Sequence, residues 1–128
     1  MNVKDCELIK HHEIEIGKSV AQAAKLMKEH KSRHIYVTHK KVPMGIISTI
    51  DIVDDVVAEG KNPTKTKVEE IMEYPIYACN YDEPLINAYF KIAKFNIVCL
   101  PVLKNNKIIG LLTSHEVMKH IVRKGMKK

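Results

Sequence analysis

An α+β fold built from two β-α-β-β-α repeats is what this sequence predicts, and three observations predict it. Residues 3–60 are echoed without a gap at residues 68–125, at a constant offset of 65 that pairs Val3 with Val68, Ala23 with Ala88, Val37 with Val102, Gly45 with Gly110 and Gly60 with Gly125. Within each copy the apolar spacing changes from helical to β-branched runs and back again. The strand-to-helix passage Gly45-Ile46-Ile47-Ser48-Thr49-Ile50-Asp51 returns as Gly110-Leu111-Leu112-Thr113-Ser114-His115-Glu116, so a glycine, a hydroxyl and a carboxylate recur together.

Each repeat is expected to open with a strand, around Glu13 to Ile16 in the first and around Ile76 to Cys79 in the second. Ser19-Val20-Ala21-Gln22 then has the form of a capping box, followed by apolar Val20, Ala23, Ala24 and Met27 at helical spacing. This helix should end near His30. In the second repeat Pro84 stands at the matching start, where its fixed φ suits a first turn, and Leu85, Ala88, Tyr89 and Ile92 repeat the stripe. Two β-branched runs follow in each half, Ile35 to Thr38 with Met44 to Ser48, and Val98 to Leu103 with Ile108 to Thr113. The joints Lys40-Lys41 and Asn105-Asn106 are short and polar, and Asn tolerates the positive φ of a tight hairpin. A second helix is marked by Ile52, Val53, Val56 and Val57, and by Val117, Met118, Ile121 and Val122. Gly60 to Lys67 is loop chemistry. It divides the chain into repeats at 1–62 and 63–128. A half of about 60 residues buries its apolar surface poorly by itself, so the halves are expected to share one core, as a single module with a pseudo-two-fold axis.

The bulk composition excludes several functions. At 128 residues, 45% hydrophobic and 28% charged, the chain has the composition of a globular protein. No apolar run approaches the roughly 20 residues of a membrane span, and the first residues begin no secretory signal, so a cytoplasmic protein is expected. Cys6, Cys79 and Cys99 are an odd number without C-x-x-C spacing, which points to reduced, partly buried thiols. Arg123, Lys124, Lys127 and Lys128 follow the last expected helix, and without these four the formal net charge falls from +6 to +2. Elsewhere basic residues alternate with acids, which argues against nucleic acid as the partner. His11 and His12 are adjacent, and His115 and His120 are five apart, a spacing that suits a helical metal pair poorly; most of the seven histidines read as solvated and no metal is expected. No G-x-S-x-G, H-E-x-x-H or Walker loop is present, and no enzymatic activity is expected.

The junction motif has a physical logic with two readings. Gly45 or Gly110 lets a backbone or ligand approach closely, Ser48 or Thr113 ends the strand with a hydroxyl, and the following helix presents unpaired N–H groups to an anion. An acid three residues on lies about one turn into that helix, where its two acceptors match the vicinal hydroxyls of a ribose. The other reading is purely structural, because Thr113-x-x-Glu116 is a capping box and Ser48-x-x-Asp51 is close to one.

The duplicated unit, the Val68-Glu69-Glu70-Ile71-Met72 opening, the Leu100-Pro101-Val102 strand and the paired junctions resemble a tandem cystathionine β-synthase (CBS) domain pair, over nearly the whole chain. The resemblance implies a stand-alone regulatory module that binds AMP, ADP or ATP, or S-adenosylmethionine, in the clefts between two repeats, with no cofactor required. It also implies a homodimer, and an output carried by an effector protein that this sequence does not identify. By resemblance, Ser48 and Thr113 meet phosphate while Asp51 meets ribose. Arg33 and His115 occupy slots for basic phosphate contacts, with Val98 and Ile50 as their silent counterparts. Glu13, Ile14, Ala78 and Cys79 would line the adenine ends beside His34 or Cys99, although Ile14 and Cys79 equally suit plain core packing. The sequence departs from the family pattern where Glu116, a candidate ribose contact or else only a helix cap, replaces Asp and where Ile35-Tyr36-Val37 replaces Leu-Pro-Val. A ligand-free dimerisation module and a nucleic-acid accessory protein are the competing functions.

Overall fold

The computed structural model describes residues 1–126. It folds as two compact units, residues 12–76 and residues 1–11 with 77–128, each an α+β sandwich of one three-stranded sheet and its helices. The first unit runs β1 (Glu13–Glu15), α1 (Val20–His30), β2 (His34–His39), β3 (Val42–Ser48), α2 (Thr49–Ile52), a π-helical turn (Val53–Val57) and α3 (Val68–Ile71). The second begins with a 3-10 turn (Val3–Asp5) and continues with β4 (Cys79–Asn80), α4 (Leu85–Phe95), β5 (Cys99–Lys104), β6 (Lys107–Thr113) and α5 (Ser114–Met126).

Strand registers repeat at the sequence offset. Ile14 pairs in parallel with Val37 and Val37 pairs antiparallel with Gly45; at the matching positions of the second copy, Cys79 pairs with Val102 and Val102 with Gly110. A register shift follows the middle residue in both hairpins, at Val37/Thr38 and Val102/Leu103. The second opening strand is two residues long, Cys79–Asn80, and not the Ile76 to Cys79 run the sequence suggests. The segment before it carries a cis Tyr74–Pro75 bond, and Ile76 and Tyr77 lie outside the ladder.

Each unit has its own core. Val20, Ala23, Met27, Ile35, Val37, Ile47 and Val56 cluster with Val68 and Ile71 in one; Leu85, Ala88, Leu100, Val102, Leu112 and Val117 cluster with Val3 in the other. Short apolar segments are exchanged between the sequence repeats. Val3 leads the chain yet packs with the second repeat's helices, whereas Val68 and Ile71 leave the second repeat to cover the first.

Local signals explain the elements. Ser19 Oγ accepts from the Gln22 N–H at 3.1 Å and the Ser19 N–H donates to Gln22 Oε1 at 2.9 Å, the reciprocal cap that starts α1. Lys31 and Asn96 end α1 and α4 in the left-handed region. The second apolar stripes are only half used within their units: Val56 is buried, but Val53 and Val57 are 50% and 67% exposed, and Val117 is buried while Met118 and Val122 are exposed. Helix α5 runs to Met126, so Arg123 and Lys124 lie on it and do not follow it; Lys127 and Lys128 lie outside the described residues. Among the described residues no helix is long and apolar enough to cross a membrane.

Both hairpin turns place two residues at positive φ, 50° and 68° at Lys40 and Lys41, 53° and 63° at Asn105 and Asn106. Asn occupies this region readily, but a lysine side chain does not. Glu15 holds the strained turn in place, accepting from the Thr38 hydroxyl at 2.8 Å and from the Lys40 backbone N–H. Lys41→Gly should therefore stabilise the protein by about 1 kcal/mol, read as a higher denaturant midpoint at unchanged slope. An unchanged or lower midpoint would count against this strain.

Candidate functional site at the strand-to-helix junctions

The first junction gathers four of the expected site residues at one end of the β2–β3 hairpin. His34 pairs with Ser48 in the ladder, and the Arg33 carbonyl accepts from the Thr49 N–H at 3.0 Å. The Ser48 N–H donates to Asp51 Oδ2 at 2.8 Å and the Asp51 N–H donates to Ser48 Oγ at 3.2 Å, a closed capping box. Asp51 is only 7% exposed, whereas the Arg33 and His34 side chains are exposed. A cation, a hydroxyl and a shielded carboxylate thus stand within a few residues of one helix start.

A fifth group joins them that sequence reasoning missed. The Glu73 pKa is raised above the ordinary value by the Asp51 carboxylate beside it, first as a hydrogen-bond partner and then through its charge, with lesser contributions from desolvation and Asp55. Glu73 is brought there by a backbone bridge, with Ile46 N–H to Glu73 O at 3.0 Å and Glu73 N–H to Ile46 O at 2.8 Å. Gly45 makes that bridge possible: a Cβ on it would lie 2.6 Å from Met72 Sδ and 2.8 Å from the Glu73 carbonyl oxygen. Of the two approaches that glycine permits, backbone and ligand, the structure uses it for backbone.

Glu13 and Ile14 lie elsewhere in this unit. Glu13 pairs with Tyr36, two residues along β2 from His34, and Ile14 is part of the core. Both line a cavity of about 480 Å³ between β1 and α1, together with Lys18, Lys25 and Leu26; among the described residues its lining includes none of Arg33, His34, Ser48 or Asp51.

The second junction keeps the backbone geometry and changes the side-chain chemistry. Cys99 pairs with Thr113 and the Ser114 N–H donates to the Val98 carbonyl at 2.7 Å, matching the first junction position for position. The Glu116 N–H donates to Thr113 Oγ1 at 3.1 Å, but the Glu116 carboxylate does not return to Thr113. One methylene longer than Asp51, it accepts from the Glu7 N–H at 2.9 Å and lies 2.8 Å from His120 Nε2, with Lys119 Nζ at 3.6 Å. The Glu7 N–H first, then His120, holds its pKa below the ordinary carboxylate value. His120 is thus no solvated histidine: its relevant spacing is to Glu116, four residues back on α5, and not to His115, which is exposed.

The remaining expected residues lie in the second unit, where Cys79 pairs with Val102 and Cys99 with Thr113. The Ala78 carbonyl accepts from Lys91 Nζ at 2.7 Å, and Cys79 is buried in the core with its thiol pKa pushed up to about 12, chiefly by burial. Burial also raises the Cys99 thiol pKa. The three cysteines are free.

The fold and these paired junctions define a duplicated α+β module whose strand-to-helix passages carry polar groups. The chain belongs to the CBS domain family, whose model matches residues 13–58 and 68–123. It is 30% identical over 102 residues to the L-aspartate semialdehyde sulfurtransferase of Methanocaldococcus jannaschii, a match covering 77% of this chain and 19% of that enzyme. It spans 19 to 52% of the first curated relatives it matches. The crystal structure of the CBS domain pair of protein MJ0100, in complex with methylthioadenosine and S-adenosylmethionine, is 26% identical with a TM-score of 0.71, covering 97% of this chain and 98% of that one. Hypoxic Response Protein I, solved with two coordinated zinc ions, shares the fold at 17% identity and a TM-score of 0.79, covering 94% of this chain and 98% of that one.

Proposed function

We propose that this CBS pair is a non-catalytic regulatory module that binds an adenosine-containing ligand, AMP, ADP, ATP or an adenosylmethionine-type molecule, at the junction formed by Arg33, His34, Ser48 and Asp51. The observation that carries this reading is that an exposed arginine, a strand-end hydroxyl and a shielded carboxylate lie within a few residues of one helix start. Phosphate or carboxylate suits Arg33, and two ribose hydroxyls suit a carboxylate with two oxygens. The ligands carried by the MJ0100 domain pair support the adenosine part. Occupancy is passed to a second copy of the chain in a homodimer, or to an effector protein.

A ribose at Asp51 would meet the same carboxylate that raises the Glu73 pKa. A thermal-shift series with AMP, ADP, ATP, S-adenosylmethionine and methylthioadenosine tests the reading. A true ligand at a hundred times its dissociation constant adds about 2.7 kcal/mol of stability. Asp51→Asn keeps a competent helix cap but loses the charge and one acceptor, and should abolish the shift. If every ligand leaves the melting curve unchanged, the junction is a cap only and the module a structural pairing unit.

A further inference from the structure

We propose that Cys6, Glu116 and His120 form a binding site for one zinc-class divalent ion, which ties the N-terminal segment to helix α5. The Cys6 Sγ, a Glu116 carboxylate oxygen and a His120 ring nitrogen all lie within 4.8 Å of one another, and all three residues belong to the same compact unit. Glu116 and His120 are one turn apart on α5, with Oε2 and Nε2 already 2.8 Å from each other. Cys6 arrives from the other end of the sequence. Its backbone N–H donates to the Val3 carbonyl at 3.0 Å, Val3 is fully buried, and Ile9 bridges to Leu111, so the thiol is held over α5 from both sides.

The chemistry of the three donors selects the ion. Thiolate sulfur, imidazole nitrogen and carboxylate oxygen are together the zinc set, and calcium or magnesium would take neither the sulfur nor the nitrogen. Tetrahedral bonding at ordinary metal–ligand lengths sets the donors about 3.3 to 3.6 Å apart. The 2.8 Å hydrogen bond between Glu116 and His120 therefore opens slightly, and the separations to sulfur, each within 4.8 Å, settle at about 3.5 Å. The fourth position is left for water. Binding replaces the thiol proton, which leaves to solvent, and the resulting thiolate and Glu116 carboxylate balance the two positive charges of the ion in a largely buried place. The Glu7 N–H supplies the outer contact that orients Glu116, and Lys119 is the one other charged side chain paired with that carboxylate among the described residues. A carboxylate engaged this way has no ribose role, which accounts for the different side-chain chemistry of the two junctions.

The test uses the whole chain after chelator treatment. Titration with zinc against a chromophoric competitor should show one equivalent bound, and cobalt in its place should give thiolate-to-cobalt charge-transfer absorption. Cys6→Ser should remove that absorption and weaken zinc binding by more than about 100-fold, beyond the usual cost of losing an outer-shell partner. His120→Gln should weaken it in the same direction, and Cys99→Ser should change neither reading. A wild-type chain that takes up no zinc at micromolar free metal, or saturates with cobalt without a thiolate band, overturns the proposal, as does wild-type affinity in Cys6→Ser. None of these readings depends on whether an adenosine ligand binds.

Discussion

Gly45→Ala is expected to destabilise the protein by about 3 kcal/mol, the upper end of the cost of overpacking a filled interior. No unusual backbone angle is involved, since Gly45 is not among the positive-φ glycines. The cost is steric. The new methyl group would meet Met72 Sδ at 2.6 Å and the Glu73 carbonyl oxygen at 2.8 Å, both well inside contact distance. Met72 is flexible and can swing away. The carbonyl cannot, because it accepts the Ile46 N–H, and moving it loosens two backbone hydrogen bonds worth about 1 kcal/mol each. Gly110 provides an internal comparison, since its added Cβ would stand 3.0 Å from Leu8 Cβ and 3.2 Å from the Ile9 carbonyl. Gly110→Ala should cost about 1 kcal/mol. Urea denaturation of the two variants checks the ranking, and a Gly45→Ala protein as stable as Gly110→Ala would refute it. Because the displaced segment carries Glu73 to Asp51, the same substitution should also shift the affinity of any ligand held at that carboxylate.

This glycine also shows how much the sequence discloses. Recurrence at a fixed offset makes Gly45 and Gly110 visible as special, and the same offset yields the helices, both hairpins and their pairing partners. These features are local, each signal lying close in the chain to what it specifies. The neighbour that makes Gly45 necessary comes only after the whole second helix and the loop that follows it, and nothing in the letters Met72-Glu73 announces it. The exchange of Val3 and Val68 between repeats is hidden for the same reason, because a short apolar turn looks alike whichever core it covers. The two-residue strand Cys79–Asn80 is too short to show a period. At the junctions the hydroxyl and acid were legible as a pair, but their partners were not. Asp51 meets Glu73, which lies beyond α3, and Glu116 meets the backbone of Glu7, near the opposite end of the chain. The four-residue spacing of Glu116 and His120 is legible on one helix, whereas the five-residue spacing of the two histidines points away from it.

Glu116→Ala should cost about 2 kcal/mol, the size of a charge-assisted hydrogen bond whose partners are left without it. Glu116 is 8% exposed, so water is poorly placed to replace the carboxylate at the Glu7 N–H, and His120 loses its nearest acceptor. The same contacts make stability depend on acid. Glu116 has a folded pKa below its unfolded value of about 4.5, so its contribution is complete above that value and fades as pH falls through the folded one. Glu73 runs the other way. Its folded pKa lies above 4.5, so its hydrogen bond to Asp51 is present below that value and is lost as pH rises through the folded one. Being solvent-exposed, Glu73 should contribute the smaller effect. In metal-free buffer, denaturant midpoints measured from about pH 3 to pH 7 should therefore fall on the acid side. Glu116→Gln should flatten that acid limb, because a neutral amide still accepts from Glu7 but cannot titrate. Glu73→Gln should leave the acid limb in place and remove only the shallow decline at higher pH. If the Glu116→Gln curve keeps the full acid slope, other carboxylates set it, and the contact between α5 and the N-terminal segment is weaker than its geometry indicates.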